Sequence, residues 1–483
     1  MEKIRAFPVA MAFILAATLP AQEDLARWVD PFIGTKGVAM AVVCHSVPEE
    51  YRSLLWEATV NGQTNGVAKA RTCDPPFDKN FDFGGEYAFM SFDMSAPVMV
   101  TLRPKTIRNL SHVRILPESA PVTVRHLPNG ALELSVAQPC RFSVEPDGRR
   151  NPLLVFANPP ERNAPDESDP KVKVYGPGTH TGGTTGYIHL KDGETLYLKA
   201  GAFVKGGVHA HGKGIRICGR GVLDSSDWAW KKGPTGAVVY MKDCQRAMLE
   251  GITVLGASRW TVVPKNCDDV TISNVKICGG RVQNDDGINP CNSRNVLIED
   301  CFIRTDDDCI AAKGLDLSHG NCENVTVRNC VLWCDRARVV LLGHESRAPY
   351  MRNFLFENCD VVHFQMPVFL LEPGENMCLE NIRVKDIRIN TDVLGRTCRI
   401  VSASPLVNKY MRTKVPGHII NCSFENISVT GERSNCRFQV KGYDENHRTR
   451  NVSIVNASLY GVPVRRNDPS CCIGDFADNI TVK

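Results

Sequence analysis

The chain has 483 residues, of which 43% are apolar and 23% are charged. This length suits two domains and the apolar fraction can fill a sizeable core, which excludes an intrinsically disordered chain. The formal net charge of +4 is too small over this length to predict a nucleic-acid partner.

The N-terminus is typical of an export signal. Lys3 and Arg5 give a charged start, and an apolar run from Phe7 to Leu19 follows. The run is too short to cross a bilayer of about 30 Å as a helix. We therefore predict a cleaved signal peptide over residues 1–22, a secreted or periplasmic protein, and no membrane span.

Residues 23–170 have no internal repeat. They contain short alternating segments, such as Val98–Leu102 and Ala131–Val136, separated by turn sequences such as Pro128-Asn129-Gly130. Short strands at this spacing predict a β-sandwich. The stretch 158–170, rich in proline and acidic residues, predicts the linker to a second domain.

Residues 171–483 repeat a pattern of alternating apolar positions that ends in Asn or Asp and one more apolar residue. The clearest copies begin at Val270, Val296, Val325, Phe354, Ile382, Cys422 and Val452. Their spacing is 26–30 residues, apart from one interval of 40 residues. A period of this length with strand-type alternation predicts a β-solenoid. We therefore predict an all-β protein, with a right-handed parallel β-helix over 171–483 preceded by the β-sandwich over 23–170.

The repeat also predicts what lines the coils. The Asn and Asp residues that end each copy should stack at one corner, where their side chains can satisfy turn backbone groups. Twenty cysteines in an exported chain normally indicate disulfides. Several of them, such as Cys301, Cys330 and Cys359, fall on the repeat, so we expect many free, buried thiols. The 40-residue interval predicts a loop around residues 402–414.

Two segments place carboxylates where the repeat does not need them: Asn284-Asp285-Asp286-Gly287-Ile288-Asn289 and Thr305-Asp306-Asp307-Asp308-Cys309-Ile310-Ala311. Asp286 and Asp307 are 21 residues apart, so stacked coils should bring them side by side, about 5 Å apart at the backbone. Crowded carboxylates raise some pKa values and keep a proton in the group near neutral pH. Glycoside hydrolysis needs that pairing of carboxylic acid and carboxylate.

A calcium site is the alternative interpretation of the aspartates, because calcium takes six to eight oxygen ligands. We favour the catalytic interpretation and predict neither a resident metal nor a cofactor.

The first acidic segment resembles the Asn-Thr-Asp-Gly-Ile motif of glycoside hydrolase family 28, the polygalacturonases and rhamnogalacturonases. The run Asp307–Ala311 resembles that family's Asp-Asp-Cys-Val/Ile-Ala motif. The resemblance implies an inverting hydrolase in which Asp307 is the general acid. It also implies that Asp286 and Asp308 together hold and deprotonate the attacking water.

The chain departs from the family pattern at several positions. Asp285 stands where the family has Thr, and Asp306 where it has Gln or Gly. Arg338 replaces the histidine of the third motif, Gly-His-Gly, and His344 follows six residues later. The fourth motif, Arg-Ile-Lys, has no clear counterpart in 368–375.

Five residues near the acidic segments are candidates for binding substrate. Arginine and lysine suit anionic groups on a sugar chain, and tryptophan can stack on a sugar ring. The candidates are Asn284, Lys313, Arg338, His344 and Trp260.

A sandwich followed by a β-helix is also similar to glycoside hydrolase family 49, the dextranases and isopullulanases, and residues 156–159 and 175–180 resemble the junction seen there. Either resemblance implies an inverting hydrolase of an α-linked polysaccharide or oligosaccharide. Family 28 implies a pectic chain and family 49 a glucan. Two other functions remain open: a polysaccharide lyase, which would release an unsaturated uronide, and a non-catalytic glycan-binding solenoid, which would release no product.

Overall fold

The computed structural model describes residues 42–483, apart from 75–80, 82, 108–109, 111, 235 and 393–394. The signal peptide predicted over 1–22 lies outside the described residues. The described residues belong to one compact unit, Ala41–Lys483. Within them the chain is all-β, with two short 3-10 helices, Glu49–Tyr51 and Leu317–His319. None of the helices described is long and apolar enough to cross a membrane.

The N-terminal part is a β-sandwich of two mainly antiparallel sheets. The strands of the first sheet are Val42–Cys44, Val67–Thr72, Gly85–Met94, Arg114–Leu116, Cys140–Glu145 and Leu153–Asn158. Those of the second are Trp56–Val60, Gln63–Asn65, Val98–Pro104, Val122–His126 and Leu132–Val136. Side chains along each strand point alternately into and out of the core. Trp56, Ala58 and Val60 are buried, for example, whereas Glu57 is exposed.

The remainder is a parallel β-helix, as the repeat predicts. Its long sheet contains the strands Val172–Tyr175, Gly178–Thr181, Thr195–Leu198, Ala202–Lys205, Arg216–Gly219, Val222–Asp224, Gln245–Glu250, Thr253–Leu255, Asp268–Ser273, Lys276–Cys278, Arg294–Glu299, Phe302–Thr305, Cys322–Arg328, Val331–Cys334, Tyr350–His363, Cys378–Thr391, His418–Gly431, Thr449–Val455, Ser458–Leu459, Val462–Pro463 and Ala477–Val482.

Two shorter parallel sheets line another side of the helix. The first contains Tyr187–Leu190, Gly207–Ala210, Val239–Lys242 and Val262–Lys265. The second contains Ile310–Ala312, Val340–Leu342, Phe369–Leu371, Thr397–Ala403, Asn435–Val440 and Cys471–Ile473.

The predicted register of the repeat is confirmed position by position. Each first residue of a copy pairs with the first residue of the next copy, through Val270, Val296, Val325, Phe354, Ile382, Cys422 and Val452. All seven are buried in one continuous core, because each coil covers the apolar face of the previous one.

The Asn and Asp ladder is confirmed, but its bonds differ from the prediction. Its members have left-handed backbones, such as φ +54° at Asn329 and +50° at Asn358. Their amides bond mainly to one another: Asn358 Nδ2 donates to Asn329 Oδ1 at 2.8 Å. A second ladder, through Asn324 and Asn353, borders the other end of the same strands. The amide suits these sites because it tolerates the left-handed region and carries both a donor and an acceptor.

The cysteines and the long interval also follow the prediction. All twenty cysteines are free, and most are buried. Cys301, Cys330 and Cys359 lie in the core of the β-helix. The extra residues of the long interval form an irregular segment after strand Thr397–Ala403, over 404–417.

The sandwich packs on the long sheet through an apolar and partly ionic contact. Phe156 of the sandwich lies 5.4 Å from Phe302 of the β-helix, between ring centroids. Arg304 is fully buried, with its guanidinium 4.3 Å from the ring centroid of Tyr87 and 3.0 Å from Asp335 Oδ2. The proposed boundary near residue 170 therefore divides two architectures that share one buried interface.

Replacing Asn358 with alanine should reduce the free energy of unfolding by about 2 kcal/mol. Roughly 1 kcal/mol comes from forcing a residue with Cβ and no local hydrogen bond into the left-handed region. Roughly 1 kcal/mol comes from the lost amide bond to Asn329. Asn358→Gly is the control, since glycine accepts this backbone and, like alanine, loses the side-chain hydrogen bonds with Asn329 and Arg388. Urea unfolding measures both, and equal losses in the two variants would contradict a conformational role for Asn358.

Candidate active site

The two acidic segments lie where the two short sheets of the β-helix meet. Ile288 forms single parallel bridges to Val262 on the coil before it and to Ile310 on the coil after it. The Gly287 N–H donates to the Asp308 carbonyl at 2.8 Å. On this coil the sheet consists of one bridged residue, Ile288. The residues before and after it are not held by strand pairing, so they can form turns that carry polar side chains.

This register aligns functional candidates on four successive coils. Trp260, Asp286, Asp308 and Arg338 each stand two residues before a bridged or paired position, so they lie level with one another. The spacing of 21 residues predicted Asp286 beside Asp307, and Asp307 is indeed the carboxylate that acts most strongly on Asp286, but the register of the coils differs by one residue. Ile288 bridges a residue 22 positions later, which sets Asp286 level with Asp308 and puts Asp307 one residue earlier.

Asp286 is almost completely buried. Its Oδ2 accepts a hydrogen bond from Asn289 Nδ2 at 2.8 Å and lies 3.8 Å from Lys313 Nζ. Burial, then the carboxylates of Asp307 and Asp308, raise the pKa of Asp286 well above its usual value, and Lys313 opposes the rise. Asp286 therefore holds a proton more readily than an exposed aspartate does.

Asp308 is equally buried, at 1% exposure, and is bound by Arg338. Arg338 Nη2 donates to Oδ2 at 2.9 Å, and the Arg338 backbone N–H donates to Oδ1 at 3.1 Å. Burial and the neighbouring Asp307 raise the pKa of Asp308 to about 7, against the opposing effect of Arg338. This carboxyl therefore changes charge close to neutral pH.

Asp307 differs from its two neighbours because it is partly exposed. Its Oδ2 accepts from Asn284 Nδ2 at 3.2 Å, and its Oδ1 accepts from the Asp308 backbone N–H at 3.0 Å. Asn284, predicted to bind substrate, is thus in contact with the most accessible carboxyl of the cluster, and Asp307 is the member that a large ligand can reach.

Lys313 connects the aspartates to the next coil. Its Nζ lies 2.8 Å from Glu345 Oε2 and 4.9 Å from the ring centroid of Trp260. Burial lowers the pKa of Lys313, but Asp286 and Glu345 more than offset this effect and raise it above its usual value. Lys313 is therefore a buried, charged lysine held between carboxylates.

His344 lies at the edge of this group. Its Nδ1 is hydrogen-bonded to Glu372 Oε2 and lies 3.4 Å from Asn408 Nδ2. The ring packs edge-on against Tyr410, with centroids 5.1 Å apart. Asn408 and Tyr410 belong to the irregular segment 404–417, so that insertion covers this side of the candidate site.

The two extra acids have structural roles that the sequence did not reveal. Asp285 is fully buried, and its oxygens accept from the backbone N–H groups of Gly280, Arg281, Asp306 and Asp307 at 2.6–3.3 Å. Burial and Asp306 raise the pKa of Asp285, and these backbone donors work against that rise.

Asp306 forms a two-bond pair with Arg336, at 2.5 and 2.7 Å. Burial raises the pKa of Asp306 to about 7, and the Arg336 pair opposes that rise. The side chain of Asp306 binds Arg336, whereas those of Asp307 and Asp308 bind Asn284 and Arg338. Asp306 therefore lies outside the cluster.

The sandwich supports the loop that leads into Asn284. The backbone N–H groups of Cys73 and Asp74 donate to the carbonyls of Gly280 and Arg281 at 3.0 and 2.8 Å. Tyr87 Oη donates to the Gly279 carbonyl at 2.9 Å. The position of the first acidic segment thus depends on a domain far away in sequence.

Sequence reasoning missed three residues around the cluster: Asn289, Glu345 and Glu372. Asn289 lies inside the first acidic segment, three residues after Asp286, and its amide donates to the Asp286 carboxylate. The nearness in sequence was the only signal of this contact. Glu345 has a left-handed backbone, φ +57°, which the neighbouring Gly343 could have signalled as a turn. Among the residues described, no group of three or more His, Cys, Asp and Glu side chains is arranged to hold a metal ion.

Asp285→Asn should reduce the free energy of unfolding by about 2–3 kcal/mol, because an amide NH₂ would replace one acceptor and leave buried N–H groups unpaired. It should also lower any activity of the site, since the same bonds connect the two acidic segments. Asp300→Asn is the matched control, on a partly exposed ladder position that asparagine fills elsewhere. Thermal unfolding compares them, and an Asp285→Asn variant as stable as the control would contradict the bridging role.

Comparison with known proteins agrees with this geometry. Residues 205–332, which include both acidic segments, match the family model of Glycosyl hydrolases family 28. A probable polygalacturonase of Arabidopsis thaliana is 31% identical over 185 residues, which are 33% of this chain and 41% of that relative. The chain thus spans less than half the length of this relative.

Two solved structures share the fold over nearly the whole chain. Dex49A from Penicillium minioluteum has a TM-score of 0.65 at 14% identity, and a Yersinia enterocolitica family 28 exopolygalacturonase has a TM-score of 0.51 at 15% identity. Each comparison covers 91% of this chain and 96% of the other. The fold is therefore that of a β-helix with an added β-domain, and the family match lies on the coils that carry the aspartates.

Proposed function

We propose that this protein is an inverting glycoside hydrolase that acts on an α-linked polysaccharide of the pectic class. One observation carries the proposal: the register of two adjacent coils brings together three carboxyl groups, Asp286, Asp307 and Asp308, and Asp307 is partly exposed. The match of residues 205–332 to family 28 supports the hydrolase class, and the polygalacturonase relative supports a pectic chain.

The cluster supplies the proton that glycoside cleavage requires. Because burial and the neighbouring carboxylates raise the pKa values of Asp286 and Asp308, these two carboxyls hold a proton more readily than exposed aspartates do. Asp307 is the member exposed enough to reach the leaving oxygen, so it acts as the general acid. Asn284, bonded to Asp307, orients that carboxyl.

Asp286 and Asp308 bind the attacking water on the opposite side of the bond and take its proton. Asn289 holds Asp286 in place through Nδ2, and its buried Oδ1 has no partner among the described residues. That oxygen is available to a water bound at Asp286. Arg338 stabilises the ionised form of Asp308, which the base needs.

Substrate contact extends along the column of coils. Trp260, level with Asp286, offers a ring for stacking on a sugar, and its position beside Lys313 fixes its orientation. His344, with Glu372 and Tyr410, forms the boundary on the other side. We assign Trp260 and His344 to the sugars adjacent to the cleaved bond.

Asp307→Asn should lower kcat by about two orders of magnitude or more, because it removes the general acid. The assay is reducing-sugar release from homogalacturonan, rhamnogalacturonan and dextran, with Asp300→Asn as the matched control. Near-normal turnover by Asp307→Asn would refute its role. An unsaturated uronide as product would identify a lyase, and release from dextran alone would replace the pectic substrate with a glucan.

A further inference from the structure

The cations that contact the aspartate cluster are already paired. Arg338 donates two hydrogen bonds to the Asp308 carboxylate, one from its side chain and one from its backbone. Lys313 is bound to Glu345 and lies close to Asp286. Both Arg338 and Lys313 therefore balance the protein's own buried carboxylates, which reduces what they can offer to an anion on the substrate.

Acids outnumber cations in this group. Asp286, Asp307, Asp308 and Glu345 are four acids, and the cations in contact with them are two, Lys313 and Arg338. Glu345 is firmly ionised: burial opposes it, but Lys313 lowers the pKa of Glu345 below its usual value.

An anionic sugar would meet two penalties here. Its carboxylate would lie beside ionised aspartates in a site that is largely closed to water, where like charges repel strongly. An anionic sugar that binds Arg338 would have to share the guanidinium with the buried carboxylate of Asp308, which weakens that pairing.

We propose that the sugar unit bound at the cleaved bond is uncharged: a methyl-esterified galacturonosyl unit or a neutral sugar of a pectic chain. This inference rests on the proposed function and narrows its substrate. Glu345 is the specificity-determining residue, because it occupies the lysine that would otherwise bind a carboxylate.

The test compares the full chain on galacturonan samples of equal length, one fully methyl-esterified and one free of ester, with rhamnogalacturonan as the neutral-sugar source. At low salt, kcat/KM should be at least about tenfold higher on the esterified sample or on rhamnogalacturonan than on the free acid. Added salt should narrow the difference by screening repulsion. An equal or higher kcat/KM on the free acid would overturn the inference.

A second comparison isolates Glu345. Glu345→Gln keeps the shape of the side chain and removes its charge, so the ratio of kcat/KM on free acid to kcat/KM on esterified chain should rise several-fold. Glu323→Gln is the control, since Glu323 pairs with Arg352 on the long sheet, away from the cluster. An unchanged ratio in Glu345→Gln would overturn its assigned role.

Binding separates this inference from the proposed activity. Calorimetry on Asp307→Asn with the two pectic oligosaccharides, esterified and free, reports recognition without turnover. Tighter binding of the esterified oligosaccharide supports the inference even if no hydrolysis is found with the unaltered chain. Tighter binding of the free acid overturns it even if hydrolysis is found.

Discussion

The crowding of Asp286, Asp307 and Asp308 on adjacent coils is the constraint on which the rest of the site depends, because Asp307 raises the pKa values of both buried neighbours. Buried carboxylates crowded in this way cannot all stay ionised without compensation. Lys313 and Arg338 provide it from the following coils, and Glu345 in turn balances Lys313. Each buried carboxylate of the group therefore has a cation beside it, and Asp307 is the carboxyl that remains partly exposed.

The scaffold keeps that arrangement from relaxing. Coil stacking fixes the backbone spacing, and left-handed asparagines at both ends of the long-sheet strands repeat the same turns from coil to coil. Asp285 connects the two acidic segments through four backbone N–H groups, and the sandwich holds the loop before Asn284. These contacts hold the backbone of both acidic segments in place, so the aspartates cannot move apart to relieve the repulsion between their charges.

The fold and the location of the acidic segments could be predicted from the sequence, because in a solenoid the spacing of residues along the chain determines which residues stack on adjacent coils. The column from Val270 to Val452 was predictable residue by residue, since each coil must bury the same apolar face. The aspartates were conspicuous because the repeat does not require them. The resemblance to family 28 added roles for Asp286, Asp307 and Asp308 that spacing alone does not give.

The exact register of the acidic segments and the partners of Asp285 and Lys313 could not be predicted, because they depend on turn geometry and on contacts between segments far apart in sequence. The register between the acidic segments is 22 residues rather than 21. Within the second segment, the Thr305 hydroxyl donates a hydrogen bond to the Asp307 carbonyl, a turn contact that the repeat does not predict. The bonding of Asp285 and the contact between Cys73 and Gly280 join segments with no local signal. The pairing of Lys313 with Glu345 depends on a left-handed residue at position 345.

The stereochemistry of cleavage distinguishes a water molecule held by two carboxylates from a carboxylate that attacks the sugar itself. Proton NMR of the first sugar released from the best pectic substrate reports the anomeric configuration before mutarotation. A cluster in which one carboxyl donates a proton while two others hold a water gives the β-anomer from an α-linked chain. Release of the α-anomer would mean that a carboxylate attacks the sugar directly, and would contradict the account of this site.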